Sequence, residues 1–296
     1  MAEAPRFGLG PPLIELGGSG PPPVLHLACA NGFPPEIYAP LLAPFFLHHR
    51  VVSLPPRALW PGVGPPPTEA GSWWELAEDL LSGLEAHGLD PVIGVGHSFG
   101  AVATMLAATR EPSRFRALVM LDPTMLPSEQ MAAIEATRAR GEEPGFGLAE
   151  RALKRRARFA TADEAFRYWR HRPLFADWSD RALRHYVAAM LVPADDGEGY
   201  QTRWTPAWEA WYYRSFYPGS WRDLDRLDPT LPVLVARGAG SDTFFPQAET
   251  EFRRRRPGTT FAVLPDHGHL FPLSAPETTA EMLQQWLSGL AQSRTT

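Results

Sequence analysis

The stretch Pro91-Val92-Ile93-Gly94-Val95-Gly96-His97-Ser98-Phe99-Gly100-Ala101-Val102-Ala103-Thr104-Met105-Leu106 decides the fold. Residues 92–95 form a short apolar run that reads as a buried strand. After the break at Gly96 comes an apolar segment long enough for a helix. The break itself reads Gly96-His97-Ser98-Phe99-Gly100, a G-x-S-x-G pattern. A strand that turns sharply into a helix forces the corner residue into a strained backbone conformation. The residues two before and two after that corner then approach neighbouring backbone and must be small, which is what Gly96 and Gly100 provide. Ser98 is left exposed at the carboxyl edge of a sheet, with a helix N-terminus beneath it.

Working outward, short apolar strands alternate with helices. Residues 12–16 read as a weak strand, followed by strands at 24–30 and 50–54, with a helix between the last two over 35–45. Residues 55–71 are a Pro/Gly loop that reads as a surface excursion. Ser72-Trp73-Trp74-Glu75 has the form of a capping box, and the helix it opens runs to about His87. The strand at 116–122 follows the helix that begins at Ser98, and Pro123 ends it. Between 123 and 221 no strand-like run is found. Helical segments fill this region instead, two of them opened by Thr161-Ala162-Asp163-Glu164 and by Thr205-Pro206. Strands resume at 232–236 and 260–264, and a last helix opens at a third box, Ser274-Ala275-Pro276-Glu277. The pattern predicts an α/β fold with a mostly parallel sheet flanked by helices. Residues 1–122 and 222–296 form its core, and 123–221 form an all-helical insertion.

Composition limits the function classes. In 296 residues, 44% are hydrophobic and 11% aromatic, which is ample for a large core. The net charge of −5 argues against nucleic acid as a general partner, because such binding needs a basic footprint. Cys29 is the sole cysteine, so an internal disulfide and a zinc knuckle are excluded. Neither a basic-then-apolar leader at residues 1–8 nor an apolar run of membrane-spanning length is present, so a soluble, cytoplasmic protein is expected. No Walker loop, dinucleotide glycine pattern or metal cluster appears, and no cofactor is implied.

A serine hydroxyl needs a neighbouring base, itself oriented by a third group. Both partners must come from carboxyl ends of other strands, where Ser98 emerges. The loop after 233–236 reads Arg237-Gly238-Ala239-Gly240-Ser241-Asp242, and the loop after 260–264 reads Pro265-Asp266-His267-Gly268-His269-Leu270-Phe271-Pro272. The order Ser98, Asp242, His269 is the Ser…Asp…His order of one large hydrolase group.

With Asn31-Gly32-Phe33-Pro34, Gly96-His97-Ser98-Phe99-Gly100, Gly240-Ser241-Asp242 and Gly268-His269, the chain resembles the α/β-hydrolase superfamily over nearly its whole length. The branch it resembles holds esterases, cofactor-free haloperoxidases and C–C hydrolases, which carry a cap domain where 123–221 lies. The resemblance implies that Ser98 is the nucleophile, His269 the general base and then acid, and Asp242 the residue orienting the imidazole. It also implies an oxyanion hole of the backbone N–H groups of Phe33 and Phe99. Asn31 departs from the family, which has histidine there. His269 is preferred over His267 because it follows a glycine and precedes Leu270-Phe271-Pro272. Asp122 is the competing acid, as some relatives place it there, but with Pro123 next to it this position reads as a turn or the start of the cap hinge. A serine at the elbow excludes the branches with an aspartate nucleophile.

The expected reaction is hydrolysis of a small, apolar ester, lactone or thioester through an acyl-enzyme. C–C bond hydrolysis, perhydrolysis and a non-catalytic ligand-binding role remain open alternatives. Trp208, Trp211 and Tyr212 share one helical face and are the candidates for the substrate pocket, since ligand sites favour domain junctions. The basic runs at 151–158 and 253–256 read as solvated faces.

Overall fold

The computed structural model describes residues 10–142 and 147–292; residues 1–8, where a leader segment would show, lie outside them. The first half runs β1 (Ile14–Gly17), β2 (Val24–Ala28), α1 (Ala39–Leu42), β3 (Val51–Ser53), α2 (Trp73–Ala86), β4 (Val92–His97), α3 (Phe99–Arg110) and β5 (Phe115–Leu121). The inserted region holds α4 (Ser128–Ala139), α5 (Leu148–Leu153), β6 (Arg158–Phe159), α6 (Ala162–Arg170), α7 (Asp180–Met190), β7 (Leu191–Pro193), β8 (Tyr200–Thr202), α8 (Pro206–Arg214) and α9 (Ser220–Leu224). The chain closes with β9 (Val233–Gly238), α10 (Pro246–Arg255), β10 (Thr260–Leu264), α11 (Phe271–Ser274) and α12 (Pro276–Gln292).

Seven strands form one sheet in the order β1-β3-β2-β4-β5-β9-β10, parallel throughout except for β1, which pairs antiparallel with β3. β4 lies at its centre and is buried along its full length, which is why its sequence shows no polar alternation. α3 packs across it with residues 99–108 buried on every side. The glycines of the opening stretch are needed here. A Cβ on Gly96 would stand 2.3 Å from Ala101 Cα, and one on Gly100 would stand 2.4 Å from the Ala28 carbonyl oxygen. Backbone on both sides leaves nothing that can move aside.

The local signals fare unevenly. Ser72 and Glu75 form the full capping box, and Thr161 and Thr205 accept from Glu164 N–H and Trp208 N–H. The box at Ser274 does not form: Ser274 ends α11, and its hydroxyl is buried without a hydrogen-bond partner among the described residues. The helix expected over 35–45 breaks into two 3-10 turns around the four-residue α1, because Pro40 and Pro44 donate no N–H to a continuous ladder.

The inserted region is not all-helical. β6, β8 and β7 form a small antiparallel sheet, with strands of two and three residues. The Pro/Gly loop at 55–71 is also no free excursion. Trp208 Nε1 donates to Gly64 O (2.9 Å), Trp211 Nε1 to Glu69 O (2.8 Å), and Tyr212 accepts from Ala58 N–H (3.3 Å). Arg57 anchors the loop to α2 by a fork on Asp79 (2.7 and 2.9 Å) and a bond to Glu75 (2.8 Å).

Gly100→Ala is expected to cost roughly 1–3 kcal/mol by overpacking against fixed backbone, read as a Tm lowered by several degrees. Gly289→Ala, exposed in α12 with open space around its Cβ position, is expected to raise stability by about 0.5–1 kcal/mol in the same melting experiment.

Candidate active site

Ser98 sits at the corner between β4 and α3 with φ 59° and ψ −123°, a conformation L-residues rarely adopt. Its N–H donates to Leu121 O (3.0 Å) and its carbonyl accepts from Thr124 N–H (3.3 Å), so the corner is pinned to the end of β5. Ser98 Oγ lies 3.0 Å from His269 Nε2 and 3.0 Å from Thr124 Oγ1.

His269 follows β10, as the sequence reading has it. The carboxylate on its other nitrogen, however, belongs to Asp122: His269 Nδ1 donates to Asp122 Oδ2 at 2.6 Å. Asp242 makes no hydrogen bond to His269; its carboxylate accepts from Thr243 Oγ1 (3.2 Å), and the residue is exposed. The expected pairing of Asp242 with His269 is therefore corrected: the carboxylate at Nδ1 is that of Asp122. The register explains the difference. His97 pairs with Leu121 across β4 and β5, so Ser98 and Asp122 are the next residues on adjacent strands and leave the sheet at one level. Asp242 stands four residues beyond the end of β9, one strand farther away.

Asp122 is fully buried and firmly held. Its N–H donates to Ala236 O (2.7 Å), while its carboxylate accepts from Gly238 N–H (3.1 Å) and Ser241 Oγ (2.5 Å). Its φ of 44° turns the chain away from the sheet just before Pro123. Of the motif residues it is Ser241, not Asp242, that reaches this carboxylate, as a hydrogen-bond donor. Because Nδ1–H is committed to a carboxylate, Nε2 is the bare nitrogen facing the serine, the tautomer a base needs.

Phe99 opens α3, so its N–H has no partner within the helix. The Phe33 N–H, the second expected donor, makes a 3.1 Å turn bond to Ala30 O around Gly32, whose φ is +81°. Asn31 donates from Nδ2 to Glu209 O (3.0 Å), and its Oδ1 has no hydrogen-bond partner among the described residues.

A cavity of about 450 Å³ opens over Ser98 and His269, roofed by the inserted region through Leu126, Leu148, Leu174, Tyr213 and Phe216. Trp208, Trp211 and Tyr212 do not line it. They bury against residues 55–71 from the opposite face of α8, and the cavity receives Glu209, Tyr213 and Phe216 from the inner face and the turn after it. The helix is the expected one and the face is not. Burying such rings stabilises packing by roughly 5 kcal/mol each before entropy is counted, which accounts for them without a ligand.

The basic run at 151–158 likewise divides. Arg155 leaves the solvated set and meets Glu209 at 2.6 and 2.8 Å on the cavity wall. Burial opposes the charge on Arg155, but the facing Glu209 carboxylate outweighs it and raises the guanidinium pKa; burial pushes the Glu209 carboxyl above its ordinary value. Arg256 is buried as well, donating to the carbonyls of Leu227, Asp228 and Leu231. No helix among the described residues is long and apolar enough to cross a membrane.

The comparisons with known proteins agree with this architecture. The 2-(acetamidomethylene)succinate hydrolase of Mesorhizobium japonicum is 27% identical over 214 residues, covering 72% of this chain and 70% of that protein. The crystal structure of E-2-(acetamidomethylene)succinate hydrolase superposes with a TM-score of 0.72 at 21% identity, over 93% of this chain and 94% of the other. A thermophilic esterase from Thermogutta terrifontis does so with a TM-score of 0.62 at 20% identity, over 94% and 93%. The model of the alpha/beta hydrolase family matches residues 24–282, and the chain belongs to that family.

Proposed function

We propose that this protein is a serine hydrolase that cleaves an uncharged ester or thioester with an apolar acyl group through an acyl-enzyme. The observation that carries this reading is the continuous hydrogen-bonded chain from Ser98 Oγ through His269 to the buried carboxylate of Asp122. On this reading His269 Nε2 removes the Ser98 proton as Oγ attacks the acyl carbon. The imidazolium then protonates the leaving group, and a water repeats the sequence to release the acid. Asp122 holds the tautomer and stabilises the imidazolium. The Phe99 N–H and the Phe33 N–H, shared with the Ala30 carbonyl, receive the developing oxyanion; such donors are worth about 3 kcal/mol each at the transition state. Residues 123–221 act as the cap that closes the acyl pocket.

The wall chemistry supports an uncharged substrate. Arg155 is neutralised by Glu209, and Asp242 adds a carboxylate that has no ion-pair partner among the described residues. Among the described residues lining the cavity, an anionic acyl group would meet no arginine or lysine besides the paired Arg155. The succinate-type substrate in the relative's name is therefore not carried over to this chain.

Ser98→Ala is expected to lower turnover of a short p-nitrophenyl ester by roughly 10⁴–10⁶-fold and to abolish labelling by a fluorophosphonate probe; retention of both would overturn the reading. Asp122→Asn should cost about 10³–10⁴ in kcat by presenting the wrong partner to His269 Nδ1, while Asp242→Asn should change kcat by less than about fivefold. The reverse order would restore Asp242 as the orienting acid. In a substrate panel, p-nitrophenyl butyrate should exceed the succinyl monoester by at least about tenfold in kcat/KM, a gap of ~1.4 kcal/mol. Equal values would sink the charge argument.

A further inference from the structure

We propose that His97, at the variable position of the elbow motif, is a positioning residue that holds the His269 backbone to the turn carrying Phe33. The proposal rests on the reading of Ser98 and His269 given above. His97 Nε2 lies 3.0 Å from His269 O, and His97 Nδ1 lies 2.7 Å from the Tyr38 hydroxyl. Tyr38 OH in turn accepts from Ala30 N–H at 3.0 Å. Both side chains are fully buried.

Every proton in this chain can be assigned. A carbonyl oxygen only accepts, so His97 Nε2 carries the hydrogen. Burial, and then the neighbouring His269, hold the His97 pKa far below its ordinary value, so the ring is neutral and Nδ1 is bare. Nδ1 accepts from Tyr38 O–H, and the tyrosine oxygen is left to accept from Ala30 N–H. Ala30 closes the 3.1 Å turn that presents Phe33. One unbroken path therefore joins the backbone of the base to the backbone of the second oxyanion donor, and it passes behind Ser98.

The choice of a neutral donor has a physical reason. His269 lies in a loop whose backbone is also tied by Gly240 N–H to His267 O (2.9 Å). Its carbonyl needs a partner, since burying it unpaired is costly. The two imidazole rings stand 5.1 Å apart. A lysine or arginine at position 97 would satisfy the carbonyl but oppose the imidazolium that must form on His269. Neutral histidine supplies the N–H without the charge.

Three variants test this: His97→Leu, which removes the donor; His97→Asn, whose amide reaches only the Nδ1 locus; and His97→Gln, whose amide N–H falls at the Nε2 locus. With Leu and Asn, kcat on a neutral ester is expected to fall about 10–100-fold with KM within about twofold, the loss typical of a misplaced catalytic group. With Gln most of the rate should return, to within about threefold of wild type, in the same assay. Should Leu fail to fold, the Asn–Gln contrast carries the test. The role is overturned if Leu or Asn keeps wild-type kcat, or if Gln falls as far as Asn does. Ser98→Ala separates the two levels: turnover surviving in that variant removes the serine reading and this one together. An inert Ser98→Ala beside fully active His97 variants removes only the positioning role.

Discussion

The backbone corner at Ser98 is the constraint on which the rest of the structure depends. A residue held at φ 59° and ψ −123° stores roughly 1–3 kcal/mol, and it persists only where its surroundings over-determine it. Here they do so from three sides. Gly96 lets β4 approach the first turn of α3, and Gly100 lets α3 approach the carbonyl of Ala28. The end of β5 fixes Ser98 N–H and, through Thr124, its carbonyl. With α3 buried over ten residues, relaxing the corner would mean withdrawing a helix from the core. The hydroxyl is thereby presented at the sheet edge, and the Phe99 N–H beneath it has no partner within the helix.

The core was legible because this corner imposes residue types at fixed spacing. Small residues must flank it, a buried strand must precede it and a buried helix must follow it. His269 was legible for the same kind of reason, as a histidine in the loop after the last strand. The acid was not. Asp242 follows a glycine-rich loop that matches the family pattern, whereas Asp122 sits before a proline and reads as a turn. What decides between them is register, a property of strand pairing that spacing along the chain does not carry. One signal was available: Asp122 ends the strand predicted at 116–122, the next strand after the serine's, and in the sheet it leaves level with Ser98. Pro123 marks where the insertion departs and says nothing against the carboxylate that precedes it.

The inserted region was legible as a departure from strand–helix alternation, and its threonine caps gave true helix starts at 162 and 206. Its small sheet was not, since strands of two and three residues are too short to show a period. The face of α8 was also hidden. Both of its faces carry aromatic or long side chains, so amphipathicity gives no direction. The Pro/Gly loop at 55–71 settles it, because its backbone carbonyls accept from Trp208 and Trp211 and so claim that face. A loop that looked like a surface excursion is what turns Glu209 and Tyr213 toward the serine.

Charge around the cavity follows from that same rotation. Turning α8 inward brings Glu209 onto Arg155, and the pair cancels over the Gly32 turn, where a Cβ would stand 3.3 Å from the Glu209 carboxyl carbon. His97 behind the site is neutral, and Asp122 is committed to His269. Among the described residues of the wall, Asp242 is the carboxylate without an ion-pair partner. On the proposed reaction its position has a consequence at the last step. The substrate enters uncharged and feels little of it, but the released acid ionises and meets a like charge, with no unpaired arginine or lysine among the described lining residues. A carboxylate that has no part in orienting the base would thus act on the product, favouring its departure over its retention.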